Sequence, residues 1–223
     1  DYITVTGYTG NEKSLVIPGE IDGAVVAVIG ENAFKGNANL ESIVFSEGLE
    51  NINDGAFSGC TSLKNIVFPE SMIFMKAAFE NCTSLTEVSL PDGIRSLNRT
   101  FAGCTNLEYV RLPENLYSLN GTFSGCTALK EIKIPEGVEH IEDSVFNGCV
   151  NIKEIVIPGK VTNIGLEAFA GCSGLTKIEI PEGVKTIWKD AFKDCINLKN
   201  VEFGNRLSYI GDAIFENCKS LET

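Results

Sequence analysis

The sequence predicts a solenoid of short parallel strands, because three regularities recur together along its 223 residues. Eight cysteines follow one another at intervals of 22 or 23 residues, from Cys60 to Cys218. A phenylalanine lies three residues before each cysteine, and Phe34 opens the series three residues before Asn37. A leucine or an isoleucine lies three residues after each cysteine. A period of this length is typical of repeat proteins in which one repeat forms one coil.

Each repeat reads L-x-x-I-x-I-P-x-G-V-x-x-I-x-x-x-A-F-x-x-C, and its I-x-I part predicts a short strand. In the pair Ile132 and Ile134, a period of two places both side chains on the buried side and Lys133 on the outer side. Pro135 follows, and proline donates no backbone hydrogen bond, so the strand ends there. The next residues, "EG", favour a turn.

The second half of the repeat predicts two further inward anchors and one turn. Val138 and Ile141 in V-x-x-I point to the interior, and A-F-x-x-C-x-x-L has the spacing of a single helical or 3₁₀ turn. One coil cannot bury its apolar side alone, but stacked coils bury a continuous core. We therefore expect one domain over residues 1–223, made of about nine coils. Three consecutive coils with 22 residues are expected to change the curvature locally.

The cysteines are predicted to be buried free thiols that stack along the coils. Equivalent residues of stacked coils have parallel Cβ directions, which hold the sulfurs too far apart for a disulfide. Asn37 occupies the cysteine position in the first coil, which an obligatory bridge would not allow. Parallel thiols without histidine partners do not build a tetrahedral zinc site, so no metal is expected.

Composition narrows the classes of partner. The formal net charge is −12 and the pI is near 4.6, which opposes binding to nucleic acid or to an anionic membrane. No apolar run is long enough to span a bilayer, and the first residues, "DYITVTGYTG", do not resemble a signal peptide. Membrane insertion is therefore not expected. We expect either a cytosolic protein or one whose leader has been removed.

No catalytic or cofactor site is expected. His140 is the only histidine and lies at an outward position of V-x-x-I, which is typical of a surface side chain. Eight equivalent buried thiols could not each be activated by a neighbouring base. The phosphate-loop, zinc-protease and EF-hand patterns are all missing from the sequence. The protein is predicted not to be an enzyme.

The outward positions of the I-x-I strands are the candidate binding surface, because solenoids hold partners on such faces. Tyr and Arg are the residue types that most often anchor interfaces. The cations on this face favour an acidic or glycan-bearing partner. An acidic series after the prolines (Glu70, Asp92, Glu114, Glu136, Glu182) is interpreted as a solvated ridge, with cation binding along it as the alternative. The candidate residues are Tyr109, Arg111, Lys133, Glu131, Glu87, Val67 and Val156.

A second candidate surface lies at the V-x-x-I positions. Ile73, Phe74, Arg95 and Tyr117 occupy adjacent coils where polar residues would be expected. An exposed apolar cluster of this kind can mark an interaction site. Packing under a neighbouring loop is the alternative explanation.

The order L-x-x-I-x-I-P followed by A-F-x-x-C resembles the BspA-like, or Treponema pallidum type, leucine-rich repeats over the whole chain. The opening "GYTGNEKSLVIPGEIDGAVVAVIGENAF" resembles the first coil of that class, with Leu15 and Ile17 in its first strand. The resemblance implies a right-handed solenoid in a bacterial, secreted or cell-surface protein that takes part in adhesion. The ending "ENCKSLET" departs from the class by stopping inside a coil, so we expect a fragment of a longer protein.

The functional hypothesis is a non-enzymatic, monomeric module at the cell surface or outside the cell that binds a protein or glycoprotein, such as one on a host surface. One alternative is a rigid spacer or stalk that displays other domains. Another is a binding domain attached to a hydrolase outside this fragment. No cofactor, metal or nucleic acid enters any of these hypotheses.

Overall fold

The computed structural model describes residues 2–222, so the two terminal residues of the predicted domain lie outside the described part. The chain winds into a parallel-strand solenoid of about nine coils, which confirms the predicted fold class. Within residues 2–222 the regular secondary structure consists of short strands alone, with no helix. The A-F-x-x-C segments are isolated turns, closed by bonds such as that from the Cys60 N–H to the Phe57 carbonyl (3.1 Å).

The I-x-I segments form the first face of the solenoid, which we call the IxI face. Its strands pair in parallel in three groups, which contain three, two and two strands in chain order. Leu15 and Ile17 lie in the first strand, as predicted. The strands are β2 (Ser14–Ile17), β5 (Ser42–Phe45), β7 (Asn65–Val67), β9 (Glu87–Ser89), β11 (Tyr109–Arg111), β14 (Lys177–Ile180) and β16 (Asn200–Phe203).

The V-x-x-I segments form a second parallel face, which we call the VxxI face. One group of strands comprises β1 (Tyr2–Val5), β4 (Ala24–Ile29), β6 (Asn51–Ile52), β8 (Phe74–Lys76) and β10 (Leu97–Asn98). A second group comprises β12 (His140–Ile141), β13 (Asn163–Ile164), β15 (Thr186–Ile187) and β17 (Tyr209–Ile210). A bridge between Ser96 and Ser118 extends the first group by one coil.

A hairpin near the start departs from the repeat. The strand β3 (Glu20–Ile21) pairs antiparallel with β4. Asp22 and Gly23 connect them with φ values of 52° and 83°, the two left-handed residues of a type I′ turn. The dipeptide Asp-Gly is a strong hairpin signal, and the repeat-based interpretation passed over it.

A column of phenylalanine rings runs through the core. Seven of the rings are fully buried, at positions 57, 79, 101, 123, 146, 169 and 192. Neighbouring rings stack nearly in parallel, 4.7 Å apart between Phe34 and Phe57 and 6.3 Å apart between Phe101 and Phe123. The spacing returns to 5.2 Å between Phe169 and Phe192. The coils are therefore not uniformly stacked, and the widest ring spacing falls among the 22-residue coils.

A backbone ladder beside these rings holds the coils together. At each junction the phenylalanine N–H donates to the carbonyl of the residue just before the next phenylalanine. Examples are the bond from the Phe34 N–H to the Ala56 carbonyl (2.7 Å) and the bond from the Phe192 N–H to the Ile214 carbonyl (2.9 Å). The bond recurs at all eight junctions from Phe34 to Phe215, including those at which the strands of the IxI face do not pair. The phenylalanine N–H groups are deeply buried. Leaving one of them without an acceptor would therefore lower the free energy of unfolding.

The ladder requires an unusual backbone conformation in every coil. The residue two positions before each phenylalanine has φ between 46° and 65°, the left-handed region. This conformation aims the phenylalanine N–H at the next coil, and it costs a side-chain-bearing residue about 1 to 2 kcal/mol relative to glycine. Only two of these nine residues are glycine, and the set is Asn32, Gly55, Ala77, Arg99, Gly121, Ser144, Glu167, Asp190 and Ala213.

The eight cysteines are free thiols, and each has a specific partner. The thiol of Cys82 donates to the carbonyl of Phe57 in the preceding coil, at 3.3 Å. That carbonyl also accepts the N–H of Cys60, so it uses both lone pairs. The same thiol bond is made by all eight cysteines. Cysteine thus supplies a small apolar side chain that also donates a weak hydrogen bond.

The left-handed position predicts a stabilising substitution. Ala77→Gly removes a strained Cβ at φ 46°, and we expect the free energy of unfolding to rise by about 0.5 to 1 kcal/mol. The neighbouring Ala78 is fully buried, so Ala78→Gly serves as a control and should lower it by about 1 kcal/mol or more. Urea unfolding of both variants measures the difference. Equal destabilisation by both variants would contradict the strain argument.

The buried thiols predict alkaline unfolding. Burial raises the pKa of Cys60, Cys126 and Cys172 to about 12. Because the folded state holds these protons more tightly than the unfolded chain, their stabilising effect is complete below pH ~8.5 and is lost as the pH rises toward 12. We expect the unfolding free energy to fall above pH ~9, by about 1.4 kcal/mol per pH unit for each thiol.

The variant Cys126→Ala provides the control for that pH dependence. It retains every other titrating group. Between pH ~9 and ~11 its unfolding free energy should therefore fall less steeply with pH than that of the parent, by the contribution of one thiol. Identical slopes would show that this thiol ionises as easily in the folded as in the unfolded state.

The free state of the cysteines predicts a thiol count. Denatured protein that has not been reduced should react at all eight cysteines. Native protein should protect the seven that are fully buried, Cys60 through Cys195 in the repeat series, because a reagent cannot reach them. Mass spectrometry after alkylation counts both sets, and a count of six or fewer in the denatured protein would show bridges.

Candidate binding face

The structure places all seven predicted site residues on the outer side of the IxI face. Val67 lies in β7, Glu87 in β9, and Tyr109 and Arg111 in β11. Tyr109 lies in register with Glu87 on the neighbouring strand. The remaining residues, Glu131, Lys133 and Val156, belong to the next two coils, and Val156 is 80% exposed.

The strand ladder is interrupted in those two coils. Residues 131–134 and 154–157 lie between β11 and β14 but form no strand. In the part of the chain that the structure describes, their N–H groups donate to no other backbone carbonyl. The phenylalanine ladder continues beneath them, with Phe123 bonded to Val145 at 3.0 Å. The coils therefore remain joined on one side and open on the other.

A groove occupies the open part of the face. Its volume is about 690 Å³, and the apolar part of its lining includes Val110, Ile132 and Ile155. A second groove of about 460 Å³ adjoins it beyond Glu154 and Val156. The larger groove brings together five of the predicted residues, Tyr109, Arg111, Glu131, Lys133 and Val156, and it does not include Glu87 or Val67.

The two predicted cations are paired within the protein. The Arg111 guanidinium donates to Asp92 (2.9 Å) and to the Leu90 carbonyl (2.8 Å). Lys133 lies 2.7 Å from Glu114, and that carboxylate raises the pKa of the lysine. The acidic series after the prolines is therefore not a uniformly solvated ridge, because Asp92 and Glu114 each reach a cation of the following coil. This pairing weakens the case for an acidic partner.

Sequence reasoning missed one member of the groove's surroundings. The Lys130 Nζ lies 5.5 Å from the centroid of the Tyr109 ring and also pairs with Glu108. A cation over an aromatic face is attracted to the ring electrons. The signal for this contact is the sequence spacing, because Lys130 is 21 residues after Tyr109 and so falls beside it in the next coil.

The VxxI face has exposed aromatic side chains, as expected for the second surface. Ile73, Phe74 and Tyr117 are 53%, 42% and 60% exposed. The same face also exposes Trp188 and Tyr209, whose rings lie 5.3 Å apart and which the sequence interpretation did not select. The sequence does contain a signal for Trp188, because the equivalent position of the other repeats is polar or glycine.

The one histidine of the chain lies on the VxxI face. His140 is exposed, and its Nδ1 lies 3.3 Å from the Thr162 Oγ1. Among residues 2–222, no group of three histidine, cysteine or acidic side chains could hold a metal ion. The same residues include no helix that could span a membrane.

Several solved structures of other proteins match this chain. The pneumococcal vaccine antigen PcpA has 16% identity and a TM-score of 0.52, with 99% of this chain and 74% of that chain covered. This likeness shows a shared fold. The Treponema pallidum leucine-rich repeat protein has 26% identity, a TM-score of 0.49 and coverage of 100% and 84%. A leucine-rich cell surface protein from Faecalibacterium prausnitzii has 22% identity, a TM-score of 0.45 and coverage of 98% and 89%.

A family model gives a more direct result. No curated protein matches the chain significantly. The model of the BspA type leucine rich repeat region matches in six copies, over residues 27–122 and 98–222. These two ranges contain every phenylalanine and cysteine of the repeat series. The chain therefore belongs to the BspA-type leucine-rich repeat family.

Proposed function

We propose that the chain is a non-enzymatic binding module of a secreted or cell-surface protein, and that it holds a protein or glycoprotein partner in the groove of its IxI face. The proposed location follows from what the family resemblance implies. The observation that carries the binding proposal is the groove itself, which gathers five of the seven predicted residues at the interrupted strand ladder. Stacked repeats offer extended surfaces of this kind to partners.

The groove combines features that favour a protein partner. Tyr109 and Val156 expose apolar surface, while Glu131 and Lys133 form a polar rim. Exposed aromatic and apolar anchors within a polar rim are the usual anatomy of a protein interface. The N–H groups of residues 131–134 also donate to no backbone carbonyl among residues 2–222.

The cations need not attract an acidic partner. Arg111 and Lys133 are already neutralised by Asp92 and Glu114, and the chain as a whole carries a charge of −12. A partner with basic or neutral contact residues fits this charge distribution better. The proposal therefore retains the predicted surface and changes the chemistry expected of its partner.

The groove proposal predicts the effect of a double variant. Tyr109→Ala with Val156→Ala should weaken binding of a captured surface protein by about 2 kcal/mol or more, roughly thirtyfold, because it removes both apolar anchors. The chain is immobilised, presented with surface proteins of neighbouring or host cells, and the affinity of the retained protein is measured. Both side chains point outward, so the melting temperature should not change.

Tyr117→Ala is the matched control, since it removes an exposed aromatic side chain from the VxxI face. It should leave the affinity unchanged. If the double variant binds as tightly as the parent, the groove is not the binding site. If the parent retains no saturable partner, the spacer hypothesis gains support.

A further inference from the structure

Two rows of outward side chains border a column of isoleucines on the VxxI face, Ile141, Ile164, Ile187 and Ile210, of which the first three are buried. The first row precedes the isoleucines and lies in register along β12, β13, β15 and β17, with His140, Asn163, Thr186 and Tyr209. The second row follows the isoleucines, and its later members bond back to the previous coil, as in Trp188 to the Ile164 carbonyl (2.8 Å). The second row is Asn120, Glu142, Gly165, Trp188 and Gly211.

Gly165 leaves a notch in the second row. A Cβ at this position would lie 2.7 Å from the backbone nitrogen of Asp143, so close packing of the two coils requires glycine. The consequence is that no side chain stands between Glu142 and Trp188. An open cavity of about 270 Å³ results, and its lining also includes Asn120, His140, Ile141, Asp143 and Asn163.

Both walls of the notch are held away from its centre. The Glu142 carboxylate accepts a bond from the Ser118 Oγ (2.9 Å) of the preceding coil, so it leans away from Gly165. The Trp188 ring contacts the Tyr209 ring (5.3 Å), which belongs to the following coil. Two coil spacings of ~4.8 Å separate the walls, which leaves room for one six-membered ring against the indole.

The lining offers unused hydrogen-bonding groups. The side-chain amides of Asn120 and Asn163 are half-buried, and within residues 2–222 they bond to no other side chain or backbone group. Each amide can both donate and accept, and the Glu142 carboxylate has further lone pairs. A flat aromatic wall with convergent polar groups on the other sides is typical of a small-molecule site.

We propose that this notch binds one neutral pyranose unit of a glycan. The C–H face of the sugar packs on the Trp188 indole, because an aromatic ring presents a large, partly negative apolar face to weakly positive hydrogens. The sugar hydroxyls, which donate and accept, pair with the amides of Asn120 and Asn163. The site lies on the VxxI face, so it is independent of the groove proposed for protein binding.

Other ring-shaped or charged ligands fit less well. A quaternary ammonium group favours a cage of several Trp, Tyr or Phe rings, whereas Tyr209 lies on the far side of Trp188 and the lining of the notch includes no Tyr or Phe. A nucleotide would bring phosphate to a chain with a charge of −12. A neutral sugar avoids both difficulties.

The only tryptophan of the chain reports on the site. Because Trp188 is unique, a change in its fluorescence measures occupancy directly. The methyl glycosides of glucose, galactose, mannose and N-acetylglucosamine are titrated in turn. We expect a saturable change with at least one of them, unaffected by added salt since the ligand is neutral.

Variants test the assignment of the binding groups. Asn163→Ala should weaken binding by about fivefold or more, since one hydrogen-bonding partner is lost. Trp188→Ala should abolish binding measured by calorimetry. Tyr117→Ala, the exposed aromatic outside the notch, should change nothing, and matching melting temperatures show that each variant folds.

Three results would overturn the proposal. One is the absence of a saturable response to all four glycosides and to an array of neutral oligosaccharides. Another is a salt-sensitive response to tetramethylammonium in place of the sugars. The third is sugar binding that Asn163→Ala and Trp188→Ala leave intact, which would place the sugar elsewhere on the protein.

Discussion

The hydrogen bond from each phenylalanine N–H to the next coil is the constraint on which the solenoid depends. It recurs at every junction from Phe34 to Phe215, although the strands of both faces are interrupted along the way. Three features accompany this hydrogen bond in the coils. They are the left-handed residue two positions before the phenylalanine, the buried ring, and the cysteine thiol that donates to the phenylalanine carbonyl. The chain accepts a strained residue such as Arg99 or Glu167 in order to keep the bond.

Because the junctions are fixed at this column, the two faces are free to differ. On the IxI face the strands separate near residues 131–134 and a groove forms. On the VxxI face Gly165 removes one side chain from an outward row, and a notch forms. Each feature arises where a coil departs from the repeat on its surface while its core residues stay the same. Such surface departures are where a repeat protein acquires specificity.

The sequence predicted the core well because the core is periodic. The positions of Phe101, Cys104 and Leu107 follow from spacing alone, and burial of the three is complete. The thiol partner of Cys104 was not predictable, because a spacing pattern does not reveal which carbonyl of the preceding coil a thiol faces. The left-handed positions were not predictable either, because alanine, arginine and glutamate do not indicate a positive φ.

The candidate site was predicted only in part, for a related reason. Outward positions such as Tyr109 follow from strand alternation, and the structure exposes them as expected. The pairing of Arg111 with Asp92 depends on how far a long side chain reaches toward the neighbouring coil. The ladder is interrupted at residues 131–134 although their sequence fits the repeat. Neither feature is periodic, so the repeat pattern contains no information about it.

The sameness of the phenylalanine junctions has a consequence for how such a chain can grow. Every junction joins the same donor to the same acceptor, so duplicating one block of 22 or 23 residues adds a coil without creating a new kind of contact. The energy gained per added coil is then nearly constant, as in a one-dimensional polymer of identical links. The length of the molecule, and with it the area offered to ligands, becomes adjustable in whole coils independently of what the surface binds.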